Sequence, residues 1–288
     1  MTPKTVFAML LGAAAIAQAA PPPPPAEIVF RHAMTGETAA LLVDLVGRFN
    51  AESKSGKVVL QHLSMVTDPH QLPHLVLLED GEYQKFFDSH PRMLPLHKVM
   101  GDAKEKFDAA SLFPVIADVV DDNKGRIQAL PLALSVPVLF YNKDTFRKAK
   151  LDPAKPPATW WELQTAAGKV YDIDRRCPFT SSNPAWVLME NVATQHGEPI
   201  AHAEQSGKTG LALNNLVEVK HVALLASWHK SFYFRTFGPG READEKFMSG
   251  ECSMLTSDSS LYLRLLRRKP FDFGVAALPH YGDVRGAA

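Results

Sequence analysis

Three serines in this chain are candidates for nucleophilic chemistry: Ser135 in "LPLALSVPVLF", and Ser259 and Ser260 in "LTSDSSLYLRLL". A hydrolytic serine needs a base within reach, and in the α/β-hydrolase pattern it sits in a Gly-x-Ser-x-Gly turn. None of the three does, and no histidine or acid can be assigned to any of them. His62, His70 and His74 lie close enough together to suggest zinc or copper. However, no His-Glu-x-x-His pattern is present, and the spacing runs through the loop-like Asp68-Pro69. Ordinary surface histidines are the simpler reading. There is no Gly-x-Gly-x-x-Gly and no phosphate-binding loop, so nucleotide chemistry has no support and no cofactor is implied. Trp160, Trp161, Trp186 and Trp228 could stack on a ligand, but they fall mainly in predicted helices, where core packing is their usual role. Asp258 stands at the start of a predicted helix. The free N–H groups there can hold an anion, yet a carboxylate at that point fills the cap and competes with an incoming phosphate.

The elements that must position these residues alternate between strand and helix. "EIVFRH", "KVVLQHL" and "HLVLLED" read as strands. Over 38–50, Leu41, Leu42, Leu45, Val46 and Phe49 fall at helical spacing and predict an amphipathic helix. "SLFPVIADVV" reads as helix, "RIQALPLA" and "VLFYNK" as extended, and "DTFRKAK" as a helix stopping before Leu151-Asp152-Pro153. In "PPATWWELQTAAGKVY", Thr159 followed by Glu162 predicts a capping box. Helices are also expected over "PAWVLMENVATQHG", "NLVEVKHVALLASWHKS" and "SLYLRLLRR", and strands over "ECSMLTS" and "FDFGVAALP". This order predicts an α/β protein with largely parallel sheets. Pro131 and Pro137 lack the ladder donor, so they cannot both lie inside a central strand.

Composition narrows the setting. In "MTPKTVFAMLLGAAAIAQAA", one lysine precedes an apolar run that ends in Ala17-Gln18-Ala19, the pattern of a secretory signal peptide cut after residue 19. Residues 20–26 read as a stiff proline-rich spacer. Basic and acidic side chains balance at 31 each, with no long basic run, which argues against nucleic acid or anionic membrane as partners. Cys177 and Cys252 are the only cysteines. In an oxidising compartment such a pair is compatible with one disulfide, but a core of this size does not need the staple, so composition leaves the pairing open.

Taken together, "PVLFYNKDTFRKAKLDPAKPPATWWEL", "RHAMTGETAALLVDLVGRFNAE", "WVLMENVATQHGEPIA", "VEVKHVALLASWHK", "KFMSGECSMLTS" and "FDFGVAALPHYGDVRGA" resemble the extracellular solute-binding proteins of ABC importers. Within that family the likeness is to the branch that binds glycerol-3-phosphate. The resemblance implies a periplasmic-binding-protein-like, two-lobed α/β fold with hinge crossings. Lobe 1 is expected over 27–135, lobe 2 over 136–270, and a return strand over 271–288. It implies a monomer that binds a small molecule and delivers it to membrane permease subunits, without breaking bonds. By the same alignment Glu79 and Ser135 meet the ligand, and Cys177 and Cys252 pair as a disulfide. Asp258, with Ser259 beside it, holds the place of the family's phosphate-region serine, while Asn183 stands where a cleft tryptophan is found. The ligand class implied is glycerol-3-phosphate, a glycerophosphodiester, or a related sugar or polyol. An acid at 258 facing the ligand argues for the uncharged end of that range.

Two departures carry expectations of their own. The link between "VVLQHL" and "HLVLLED" is short and carries prolines, so either the crossover helix is lost or the strand order differs. The family pattern also continues beyond residue 288, which reads as a C-terminally shortened member. A non-binding remnant of the family and an exported hydrolase are the alternative readings.

Overall fold

The computed structural model describes residues 26–54, 56–65, 71–78, 83–108, 112, 116, 120–122, 124–203 and 209–282. The signal peptide, most of the proline spacer, His70, Glu79 and most of the helix expected over 111–120 lie outside the described residues. The chain divides into two compact units, Met1–Ser89 and His90–Ala288.

In the first unit, β1 (Ala26–His32), α1 (Gly36–Glu52), β2 (Gly56–His62), β3 (Leu75–Val76) and α2 (Tyr83–Ser89) follow one another. The strands form one sheet in the order β2-β1-β3, and β1 pairs in parallel with both neighbours. Parallel pairing therefore survives the short link after β2, whose described part holds a single 3₁₀ turn, Leu63–Met65, in place of a crossover helix. The Asn50 side chain clamps α1 to β2: its amide nitrogen donates to the Val58 carbonyl at 2.8 Å, and its oxygen accepts from the Val58 N–H at 2.7 Å. The apolar stripe expected to bury α1 is only partly used. Leu42 is buried, but Leu41, Leu45 and Phe49 are exposed.

The second unit contains α3 (Leu96–Asp102), β4 (Pro137–Asn142), α4 (Lys143–Lys148), α5 (Trp160–Ile173) and β5 (Phe179–Ser181). A π-helical turn, Ala185–Glu190, runs on into α6 (Asn191–Gln195). It is followed by β6 (Ala201–Ala203), β7 (Thr209–Leu211), α7 (Leu216–Lys230) and β8 (Phe234–Arg235). The unit closes with α8 (Glu242–Met248), β9 (Met254–Asp258), α9 (Leu261–Arg268) and β10 (Phe273–Ala277). Its main sheet has the order β10-β4-β9-β5-β8, and β6 and β7 pair separately.

This sheet is mixed, which corrects the expectation of largely parallel sheets. β9, β5 and β8 run parallel, whereas β4 is antiparallel to both β9 and β10. The β9–α9–β10 crossover lands on the far side of β4, and β4 runs antiparallel between its two ends. Side-chain patterning reports that a strand is buried, not which way it points. Pro137 is the first residue of β4, where a missing donor costs least, and Pro131 lies in irregular chain before it.

The capping box forms as expected. Thr159 Oγ1 accepts from the Glu162 N–H at 3.2 Å, and the Glu162 carboxylate accepts from the Thr159 N–H at 3.1 Å. Thr159→Ala is expected to cost about 1 kcal/mol, read as a lower melting temperature, with α5 otherwise unchanged. The cap delivers Trp160 to the centre of the core, where it is fully buried against Phe179, Trp228 and His221.

α7 is rotated relative to its apolar residues. Leu216, Val219 and Val222 are exposed, while Glu218 and His221 point inward. His221 Nδ1 lies 2.8 Å from the Tyr281 hydroxyl, and Nε2 has no partner among the described residues. Tyr281 is held over this spot because residues 280 and 159 bridge, with the Trp160 N–H donating to the His280 carbonyl at 3.2 Å. Burial, reinforced by His196, lowers the His221 pKa to about 4 from its usual 6.5. The unfolded chain therefore takes up a proton at His221 as pH falls below about 6.5, while the folded chain does not until about 4. Stability is lost across that window and is unaffected by this residue above it, at about 1.4 kcal/mol per unit of displacement. Burial raises the Glu218 pKa, so that group has the opposite sign. Thermal melts at stepped pH are expected to show a fall between about 6.5 and 4 that His221→Gln flattens.

One close approach fixes a glycine. Gly274 faces Tyr141 across the β4/β10 ladder, and a Cβ on Gly274 would collide with the hydroxyl end of the Tyr141 ring, nearest to Cζ.

Candidate functional site

In open α/β sheets, ligands gather beyond the carboxyl ends of the parallel strands. In the second unit that edge is formed by the last residues of β5 and β9, Ser181 and Asp258, and by the chain entering β4 from Ser135. Ser135 is exposed, and its hydroxyl has no partner among the described residues. Its backbone is nonetheless held firmly. Next to it, the Val136 N–H donates to Ser259 Oγ at 3.2 Å, and the Ser259 N–H donates to the Val136 carbonyl at 2.8 Å. These two bonds carry the β4/β9 ladder one step past the Pro137–Asp258 pair. Ser259 thus acts as a backbone clasp that presents Ser135.

Asp258 is nearly buried, and both of its carboxylate oxygens are engaged. Oδ1 accepts from the Ser260 N–H at 2.7 Å, a turn bond just ahead of α9. The N-cap itself is Ser260, without a side-chain capping bond, so the capping role expected of Asp258 is not the one it takes. Oδ2 lies 2.9 Å from Nη1 of Arg241. Arg241 is in turn braced by Asp244, whose Oδ2 accepts from Nε at 2.9 Å. Asp244 is fully buried, and its other oxygen accepts from Ser182 Oγ at 2.6 Å and Ser257 Oγ at 2.8 Å. Arg264 approaches the same carboxylate at 3.8 Å and also pairs with Glu245, which Arg268 meets at 3.0 Å. The guanidinium of Arg241 further meets the Ser260 hydroxyl at 3.2 Å through Nη1 and Nη2.

The arginine is aimed by the "GPGRE" loop. Gly238 has φ 151°, and a Cβ there would collide with the Glu242 carboxylate, which accepts from the Gly240 N–H at 2.9 Å. The Gly240 carbonyl accepts from the Asn183 N–H at 2.6 Å. Asn183 itself has φ 46°, just ahead of the π-helical turn. The loop is therefore wrapped around one acidic side chain and tied to β5, which leaves Arg241 little freedom.

The sequence motifs point to Ser135, Asp258 and Ser259, which the structure brings to this one edge, and not to Arg241 or Asp244, which lie there too. The only local signal for Arg241 is a lone cation after a Gly-Pro-Gly turn. Asp244 reads as a surface acid in "READEKF", because nothing nearby announces two serines arriving from β5 and β9. Glu79 lies outside the described residues.

Cys177 and Cys252 form a disulfide just ahead of β5 and β9, joining two neighbouring parallel strands at the end opposite the site. His62 pairs with Ser64 and His74 accepts from the Val29 N–H. Among the described residues no three His, Cys, Asp or Glu side chains are grouped to hold a metal. Trp160 and Trp228 belong to the core, Trp186 packs against it, and Trp161 is exposed. Among the described residues no helix is long and apolar enough to cross a membrane.

Comparison with known proteins adds to this picture. A family model described as bacterial extracellular solute-binding protein matches residues 86–286. The sn-glycerol-3-phosphate-binding periplasmic protein UgpB of Yersinia pestis bv. Antiqua is 30% identical over 276 residues, covering 91% of this chain and 62% of that protein. UgpB of Salmonella paratyphi A is 32% identical over 276 residues, with 90% and 62% coverage. The chain thus spans about 62% of the length of these curated relatives. Among solved structures, UgpB from Mycobacterium tuberculosis in complex with glycerophosphocholine matches with a TM-score of 0.73 at 20% identity, over 91% of this chain and 69% of that one. The maltose-maltodextrin binding protein of Alicyclobacillus acidocaldarius matches with a TM-score of 0.66 at 17% identity, over 91% and 69%. These two agree with the α/β, periplasmic-binding-protein-like fold. With the strand-edge site and the disulfide already in place, the chain belongs to the bacterial extracellular solute-binding proteins.

Proposed function

We propose that this protein is the periplasmic solute-binding component of an ABC importer. It captures a glycerol-3-phosphate, glycerophosphodiester, or related sugar or polyol ligand and hands it to the permease subunits. Residues 27–135 and 136–270 serve as the two lobes of the binding plan, and the signal sequence over 1–19 directs export. Capture and release require no covalent step. The observation that carries the reading is the strand-edge constellation of Ser135, Asp258 and Arg241. An exposed hydroxyl beside a backbone-clamped residue, a carboxylate and a guanidinium lie along one sheet edge, the last two paired with each other and braced by the buried Asp244. Such groups match the alternating donors and acceptors of a polyol chain. The 30% identity to a glycerol-3-phosphate binder over 91% of this chain supports the ligand class.

The test is thermal unfolding of the purified full chain against glycerol-3-phosphate, glycerophosphocholine and maltose. A ligand present at a hundred times its Kd stabilises by about 2.7 kcal/mol, which is readily seen as a raised melting temperature. A chain that no member of the panel stabilises is the outcome that sinks this reading and favours a non-binding remnant.

A further inference from the structure

Several of the donors that would grip a phosphate at this edge are already in use. At the start of α9, the Ser259 N–H is committed to the Val136 carbonyl and the Ser260 N–H to Asp258 Oδ1. The Tyr262 N–H donates to the Ser259 carbonyl at 3.1 Å. Arg241 spends Nε on Asp244 and Nη1 on Asp258, and it shares Nη1 and Nη2 with the Ser260 hydroxyl. An anion arriving here finds a helix end and a guanidinium, the usual anion grip, but with a resident carboxylate inside it. Displacing that carboxylate would strand a negative charge that is almost buried, beside the wholly buried Asp244.

A hydroxyl meets a different surface. Carboxylate oxygens have lone pairs to spare beyond one bond each, so Asp258 can accept O–H donors without giving up Ser260 or Arg241. Ser135 adds a hydroxyl that both donates and accepts, and the Asp258–Arg241 ion pair as a whole carries no net charge.

Resting on the solute-binding reading above, the geometry points to Asp258, braced by Arg241, as the specificity-determining residue of this edge. It stands in for the ligand anion and selects an uncharged, polyhydroxylated ligand end over a phosphate monoester. Removing its charge takes away the resident anion and one ion pair of Arg241, and so opens the edge to an anionic ligand.

Isothermal titration of the wild-type chain, Asp258→Ser and Asp258→Asn with glycerol-3-phosphate and with maltose tests this. Asp258→Asn keeps the size and the acceptor for Ser260, which guards against a variant that fails to fold. Both variants are expected to bind glycerol-3-phosphate at least about tenfold more tightly than wild type, and maltose more weakly. Equal or tighter glycerol-3-phosphate binding by wild type overturns the inference while leaving the solute-binding reading in place. If none of the three chains binds either ligand, the inference falls, and the solute-binding reading is decided by glycerophosphocholine in the thermal panel above.

Discussion

Asp244→Ala is expected to cost roughly 3–5 kcal/mol, the usual penalty for breaking a buried ion pair from one side. No part of the Asp244 side chain reaches solvent, and it accepts from Arg241, Ser182 and Ser257 at once. Its loss leaves two buried hydroxyls short of an acceptor and Arg241 tethered only by Asp258 and the Ser260 hydroxyl. Arg264 keeps Glu245, so the damage centres on the β5 and β9 ends rather than on the outer face of α9. For a chain of this size the melting temperature should fall by roughly 10 °C or more. The same variant should weaken ligand binding, because the guanidinium no longer has a fixed direction. Circular dichroism melts decide the first point, and a change below about 1 kcal/mol would show that the network is not structural.

Opening the disulfide is the second large effect. Cys177 and Cys252 are 75 residues apart in sequence and buried. Closing a loop of that length restricts the unfolded chain by about 4 kcal/mol in the chain-entropy model. Cys177→Ala with Cys252→Ala avoids placing a hydroxyl in the core, and it should lower the urea midpoint by roughly 2 M. Wild-type protein held in reductant should show the same shift. A double variant as stable as wild type would mean that the β5/β9 packing alone sets the spacing of those strands.

The legible parts of the fold are those written in local chemistry. The Thr159–Glu162 box, the helix over 216–230 and the strand entering Asp258 follow from caps and periodicity, which depend on residues within a turn or two. Strand direction in the second sheet was not legible, because β4 is placed by a crossover between two other strands. The inward turn of Glu218 and His221 was hidden for a related reason. Helical spacing marks an apolar stripe, but tertiary partners, here Trp160 and Tyr281, decided which face was buried. At the site, Ser135, Asp258 and Ser259 could be named from the motifs around them. Arg241 could not, because its partners arrive from α8 and β9 and meaning comes only from their meeting.

The glycine opposite Tyr141 has a consequence for assembly of the sheet. β10 is an edge strand, and edge strands are where a ladder can slip by a residue. The Tyr141 ring occupies the space that a side chain at 274 would need, and its hydroxyl is anchored on the Pro153 carbonyl at 2.9 Å. A slip of one residue in either direction would bring Phe273 or Val275 against that ring. Only one alignment of β10 can close, so a vacancy in one strand and an aromatic in the next act together as a proofreading device for the sheet edge.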